Sequence, residues 1–239
     1  MTTGLTYSDY VNEIATLAVV SASDPNFVEI LPQMITYAEN RIYRDLDLLS
    51  TVTSNATYAT TSGGSKLTFT LSDFITVQEV NVITPAGTTN ADSGTRVPLL
   101  PVTKEYLHYV YPDNVNYGVP ANFAMLNQNT LIFGPWPDDT YTLEIIGTYR
   151  PNSLSSANTT TFISLYLPDL LIMASMIYVS GFQRNFISGA ANDPQMPINY
   201  ETQYQTLLRG ATVEEYRKKF QSSGWTSMSP SPVATPTRG

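Results

Sequence analysis

The sequence predicts an α+β protein in which helical segments at both ends flank a β-rich middle, with an extended tail after the last helix. Three observations carry this. Apolar residues recur at helical spacing before residue 50 and after residue 161. Between 51 and 150 they alternate with polar residues at the period of a strand. From Ser222 on, the chain is rich in Ser, Pro and Thr and holds too little apolar surface to fold alone. The expected divisions are 1–50 helical, 51–160 β-rich, 161–221 helical and 222–239 a flexible C-terminal arm.

Thr6 and Asp9 have the spacing of a capping box. Tyr7, Tyr10, Val11, Ile14, Leu17 and Ala18 follow at helical spacing. Asp24-Pro25 is a turn signal. Phe27–Leu31 reads as a single turn, and Pro32 is placed at the first position of the next helix, because proline fits poorly in a helix interior. Leu31, Met34, Ile35, Ala38, Ile42, Leu46 and Leu49 form the apolar stripe of that helix.

Beyond Thr51 the strand candidates are the alternating run Leu67, Phe69 and Leu71, then 77–84, 122–126, 130–133 and 141–150. Thr103 is positioned to cap a short helix over Lys104–Tyr111. Together these predict a small antiparallel sheet folded as a sandwich or partial barrel. Pro168 and Asp169 suit the first turn of a helix whose residues 170–179 are apolar nearly all round, the mark of a buried element. A last helix is expected from about Pro197 to Phe220, ending on Arg217, Lys218 and Lys219 at the negative end of its dipole.

The chemistry of the 239 residues is restricted. There is no cysteine and one histidine, His108, so thiol nucleophiles and cysteine-ligated zinc are excluded, and imidazole schemes hang on a single residue. Gly63-Gly64-Ser65-Lys66 lacks the spacing of a phosphate-binding loop, and no Gly-x-Gly-x-x-Gly or Gly-x-Ser-x-Gly occurs. Asp138-Asp139 reads as a turn, Glu214-Glu215 as a helix surface, and Asp45 with Asp47 lacks the alternating oxygen ligands of a cation loop. No catalytic, cofactor-binding or metal site is predicted, and no enzymatic activity. Charged residues make up only 13% of the chain, about half the usual share, while tyrosines number 16. That balance suits either permanent protein contact or ordinary Tyr/Thr-rich strands. The net charge of −8 is opposite in sign to that of a generic nucleic-acid binder. The most apolar run, 165–179, is too short to span a bilayer.

The run from Pro32 to Leu46, with Ala38, Glu39, Arg41, Arg44 and Asp45 at its centre, resembles the second helix of phage head-to-tail adaptor proteins. Leu71-Ser72-Asp73-Phe74 is similar to a turn of that family, Ser72 being a departure. The segment from Val119 to Pro137 is similar to its hairpin. Leu167-Pro168-Asp169-Leu170 is similar to the start of its buried third helix. The resemblance covers about residues 5 to 220 and is nearest to the tail tubular protein A class of short-tailed phages.

The resemblance implies a four-helix bundle, two helices from each end of the chain, with the β-sandwich or barrel-like domain inserted between them. It also implies a dodecameric ring in the virion neck, assembled in the host cytoplasm. Such a ring sits below the portal protein, meets the tail nozzle protein and often the fibres, and continues the DNA ejection channel without specific DNA binding, cofactor or membrane insertion. Twelve copies would carry roughly −96 charges, and a channel that DNA slides through should not grip phosphates. The acidity is then either ordinary surface charge or a partly acidic channel lining. Arg217, Lys218, Lys219, Phe220 and Trp225 are the expected portal-docking residues. The alternative is a β-rich receptor- or carbohydrate-binding module of a phage tail, built around Trp136 and the tyrosines.

Overall fold

The structure is a computed structural model. It describes residues 4–113, 115, 117–186 and 196–220, with backbone only at 182–186 and at 196. In chain order the elements are α1 (Tyr7–Leu17), α2 (Pro25–Asp45), β1 (Val52–Ala59), β2 (Lys66–Thr68), β3 (Thr76–Thr84), β4 (Thr95–Pro98), β5 (Leu100–Pro101), α3 (Lys104–Val110), β6 (Tyr117–Gly118), β7 (Asn122–Asn127), β8 (Thr130–Gly134), β9 (Trp136–Pro137), β10 (Thr142–Thr148), α4 (Phe162–Tyr166), α5 (Pro168–Phe186) and α6 (Met196–Lys219). The chain divides into two compact units, one formed by the chain up to Leu49 and from Asn152 on, the other by Ser50–Pro151.

The helical unit is organised by α5, against which α1, α2, α4 and α6 pack. Leu170, Leu171, Ala174, Met176 and Val179 are buried on several of its sides, which makes it the most enclosed helix among the described residues of this unit. Tyr10, Ile14, Met34, Ile35, Ala38, Ile42, Leu48 and Tyr204 complete the core. One polar contact runs through it: the Tyr10 and Ser175 hydroxyls lie 2.6 Å apart, and the Ser175 hydroxyl is also 2.7 Å from the Leu171 carbonyl. Burial pushes the Tyr10 phenol well above its ordinary value, so it stays neutral.

Helix α1 begins on the expected capping box: the Thr6 hydroxyl accepts the Asp9 N–H and the Asp9 carboxylate accepts the Thr6 N–H. Its other end is a Schellman closure in which the Val20 N–H donates to the Ala15 carbonyl and the Val19 N–H to the Thr16 carbonyl. The residue in the left-handed position is Val19, at φ 56°.

In the β-rich unit, β1-β10-β3-β4 form one antiparallel four-stranded sheet, β2-β8-β7-β5 a second of four strands, and β6-β9 a pair. Phe74, Val80, Val82, Leu131, Phe133, Leu143 and Ile145 are buried together at its centre. Gly147 sits at a register shift between β10 and β3, where a Cβ would collide with the Thr76 carbonyl and the Phe74 ring.

Two expectations are corrected. The four-helix bundle with an inserted antiparallel sandwich or barrel does not describe the molecule. Six α-helices occur among the described residues, and the strands fall into three sheets, two of which hold parallel pairs, β5 with β7 and β6 with β9. The extra helices have local causes. Thr161 and Ser164 form a capping box that starts α4, and Leu167, restricted by the following proline, breaks it from α5 at φ −131°, ψ 45°. Helix α3, capped by Thr103, carries the chain between β5 and the returning β7, and such a crossover produces a parallel pair. The second correction concerns Pro32. It lies inside a single long α2 whose N-cap is Asp24, with Pro25 in the first turn. Burial of Phe27 and Leu31 on either side of that turn outweighs the hydrogen bond that Pro32 removes.

Candidate functional site

The residues singled out on α2 divide between core and surface. Ala38 and Glu39 are buried, and a Glu39 carboxylate oxygen accepts the N–H of Leu154 at 3.0 Å, tying α2 to the segment that precedes α4. Arg41 links α2 to α6: it donates to Glu201 at 2.6 Å, lies 3.6 Å from Asp45 and stands 4.2 Å from the centre of the Tyr204 ring. The Tyr204 hydroxyl donates to Asp45 at 2.7 Å. Glu201, held by the Arg41 guanidinium and by Gln205, titrates below the ordinary carboxylate range. Arg44 points into solvent. Pro168 opens α5, and the exposed Asp169 accepts the N–H of Leu170 in its first turn.

The basic end of α6 is less free than its sequence suggests. Lys218 pairs with Glu214 at 2.7 Å and Glu215 at 2.8 Å, and lies over the Phe162 ring. Lys219 pairs with Asp47. Buried Glu215 also accepts the Leu49 N–H, so this cluster fixes the chain beyond α2 onto α6. Arg217 remains exposed, beside the exposed side chains of Val213, Tyr216 and Phe220. Trp225 lies outside the described residues.

Two features went unread in the sequence. The first is an open groove of about 680 Å³ lined by Pro32, Gln33, Thr36, Tyr37, Asn40, Arg41, Arg44 and Asp45 of α2 and Tyr178 of α5. Tyr37 and Tyr178 flank one another at 5.3 Å between ring centres, and the Tyr178 hydroxyl reaches Gln33 at 3.4 Å. The second is Val19, which is 90% exposed. A valine just past the end of α1, where glycine is the usual occupant, was the available sign.

Neither feature resembles a reaction centre. His108 is an exposed residue of α3, and Asp138 is bound by the Tyr141 hydroxyl at 2.8 Å. Trp136 donates its indole N–H to the Tyr111 carbonyl. Among the described residues no three His, Asp or Glu side chains gather into a metal-binding group, and no helix is long and apolar enough to cross a membrane.

Comparison with curated proteins gives no match. A family model described as SU10 adaptor protein matches residues 5–233, a span that takes in both compact units. Because this match spans nearly the whole chain, the chain belongs to the SU10 adaptor protein family, and with it to the structural adaptor proteins of phage virions.

Proposed function

We propose that the chain is a non-enzymatic neck subunit of the head-to-tail connector, tail tubular class. In this reading about twelve copies form a ring that joins the portal protein to the tail nozzle and continues the DNA ejection channel. The observation that carries the reading is the family match from residue 5 to residue 233. The acidic balance is consistent with it, since a net charge of −8 per chain is the sign expected of a channel that should not grip DNA phosphates. DNA then passes without specific binding, and tail fibres are further candidate neighbours.

Portal docking is assigned to the end of α6 and the segment after it: Arg217, Lys218, Lys219, Phe220 and Trp225. Arg217 and Phe220 supply an exposed cation and ring there, the side-chain types that anchor interfaces. Lys218 and Lys219 contribute by holding the helix end in place through Glu214, Glu215 and Asp47.

The test is to mix the purified chain with purified portal rings and measure the mass of the complex by mass photometry, then image it. A ring added to one end of the portal supports the proposal. Deleting 222–239 is expected to abolish the complex while the helical signal persists. A truncated chain that binds as well as the full one refutes the docking assignment, and a full chain that never binds portal rings refutes the connector reading.

A further inference from the structure

Val19 is an unusual choice for its place. The closing turn of α1 needs a left-handed backbone at that residue, a conformation suited to glycine and poor for a β-branched side chain. The side chain gains nothing from the fold in return, because it is 90% exposed. Leu17 and Val28, at 44% and 50% exposure, stand near it in sequence at the end of α1 and the start of α2. An exposed apolar prominence held on a strained turn is the kind of feature that contact with another surface explains.

Charge indicates which surface. Residues 1–40 contain Asp9, Glu13, Asp24, Glu29 and Glu39 and no lysine or arginine. Glu13 lies one helical turn before Leu17, Glu29 follows Val28 in the first turns of α2, and both carboxylates are exposed. Further along α2 the groove offers the complement. Its lining includes Pro32 and the Tyr37–Tyr178 pair, together with Arg44, which is exposed and has no ion pair among the described residues. Asp45 also lines the groove but is held by Arg41 and Tyr204, which leaves Arg44 as the cation that an exposed carboxylate near Val19 would complement.

We propose that the occupant of the α2/α5 groove is a second copy of this chain, which seats Val19 against the Tyr37–Tyr178 pair and brings Glu13 or Glu29 to Arg44. The two patches are different surfaces of one protein, so the contact is head-to-tail. Each copy keeps one free patch of each kind, and repetition closes a ring or extends a filament. The inference rests on the ring reading above and names the contact that builds the ring.

The experiment uses the full chain, with Val19→Asp disabling the tip and Arg44→Glu disabling the groove. Both positions are on the surface, and circular dichroism checks that each variant is folded. Sedimentation over a concentration series should show wild-type self-association, with each variant weakened at least about tenfold. An equimolar mixture of the two variants should form a dimer and nothing larger, because one intact tip meets one intact groove.

Val19→Gly separates contact from structure: it should raise the melting temperature while weakening association. If wild type associates and both variants associate equally well, the contact proposed here is wrong and the ring reading stands. If the variants are monomeric alone and remain so when mixed, the contact is not head-to-tail and the proposal fails. If wild type stays monomeric at every concentration, the self-contact is withdrawn, and the portal mixture alone judges the ring.

Discussion

Replacing Val19 by glycine should stabilise the protein, the reverse of what most substitutions do. A non-glycine residue in the left-handed region costs roughly 1–2 kcal/mol. Glycine removes that penalty but adds about 0.5–1 kcal/mol of chain entropy lost on folding. Burial hardly enters, since Val19 is 90% exposed. The two backbone contributions leave a net gain between about 0 and about 1.5 kcal/mol, centred on about 0.75 kcal/mol, or a rise in melting temperature of about 2–3 °C at that centre for a chain of this size. Urea denaturation followed by circular dichroism, under dilute conditions where the chain is monomeric, measures it directly. Val19→Ala should fall between wild type and glycine. A loss of stability on going to glycine would refute the reasoning, because it would mean that the valine side chain packs within the monomer or that its backbone is not left-handed.

Three further outcomes are expected. Glu39→Ala should lower stability by about 1–3 kcal/mol, because the buried Leu154 N–H loses the acceptor it has at 3.0 Å. Glu39→Gln keeps an acceptor and should lose clearly less, and equal losses in urea titrations of the two variants would contradict that role. Gly147→Ala should cost about 1–3 kcal/mol by forcing apart β10 and β3 at the Thr76 carbonyl, and an unaltered denaturation midpoint would count against the close approach. Stability should fall as pH drops below the ordinary carboxylate range. Glu144, hydrogen-bonded by Arg96, and Glu201, hydrogen-bonded by Arg41, are held below their usual pKa in the folded state. Their stabilisation is therefore present above the unfolded value and lost as the folded groups take up protons. Glu144→Gln should flatten this acid loss, as measured by denaturation midpoints between about pH 6 and about pH 3.

Much of the helical unit was legible because its signals are local. The Thr6–Asp9 capping box, the apolar period of α2 and the near-continuous apolar run of α5 each depend on residues within a turn or two. Alternation likewise located β3, β7, β8 and β10. The run 52–59 was not identified as a strand, because its many small polar residues leave little alternation to read. Pro32 misled for a related reason: a proline signals a break, and only the packing of Phe27 and Leu31 shows that this helix continues through it.

The amino-acid sequence by itself determined the α+β class, the order of the main helices and strands, the scarcity of catalytic groups and, through motifs spread along the chain, the phage adaptor resemblance. Tertiary structure alone decided the rest. The groove needs Gln33, Tyr37 and Arg44 from one helix and Tyr178 from another, well over a hundred residues away, and no local period encodes such a meeting. The parallel pairs of β5 with β7 and β6 with β9 depend on crossovers that leave no mark in alternation. Whether a lysine on α6 is free or already paired depends on Asp47, Glu214 and Glu215 reaching it in space. Contacts distant in sequence are set by how whole faces pack, and that is a property of the assembled chain.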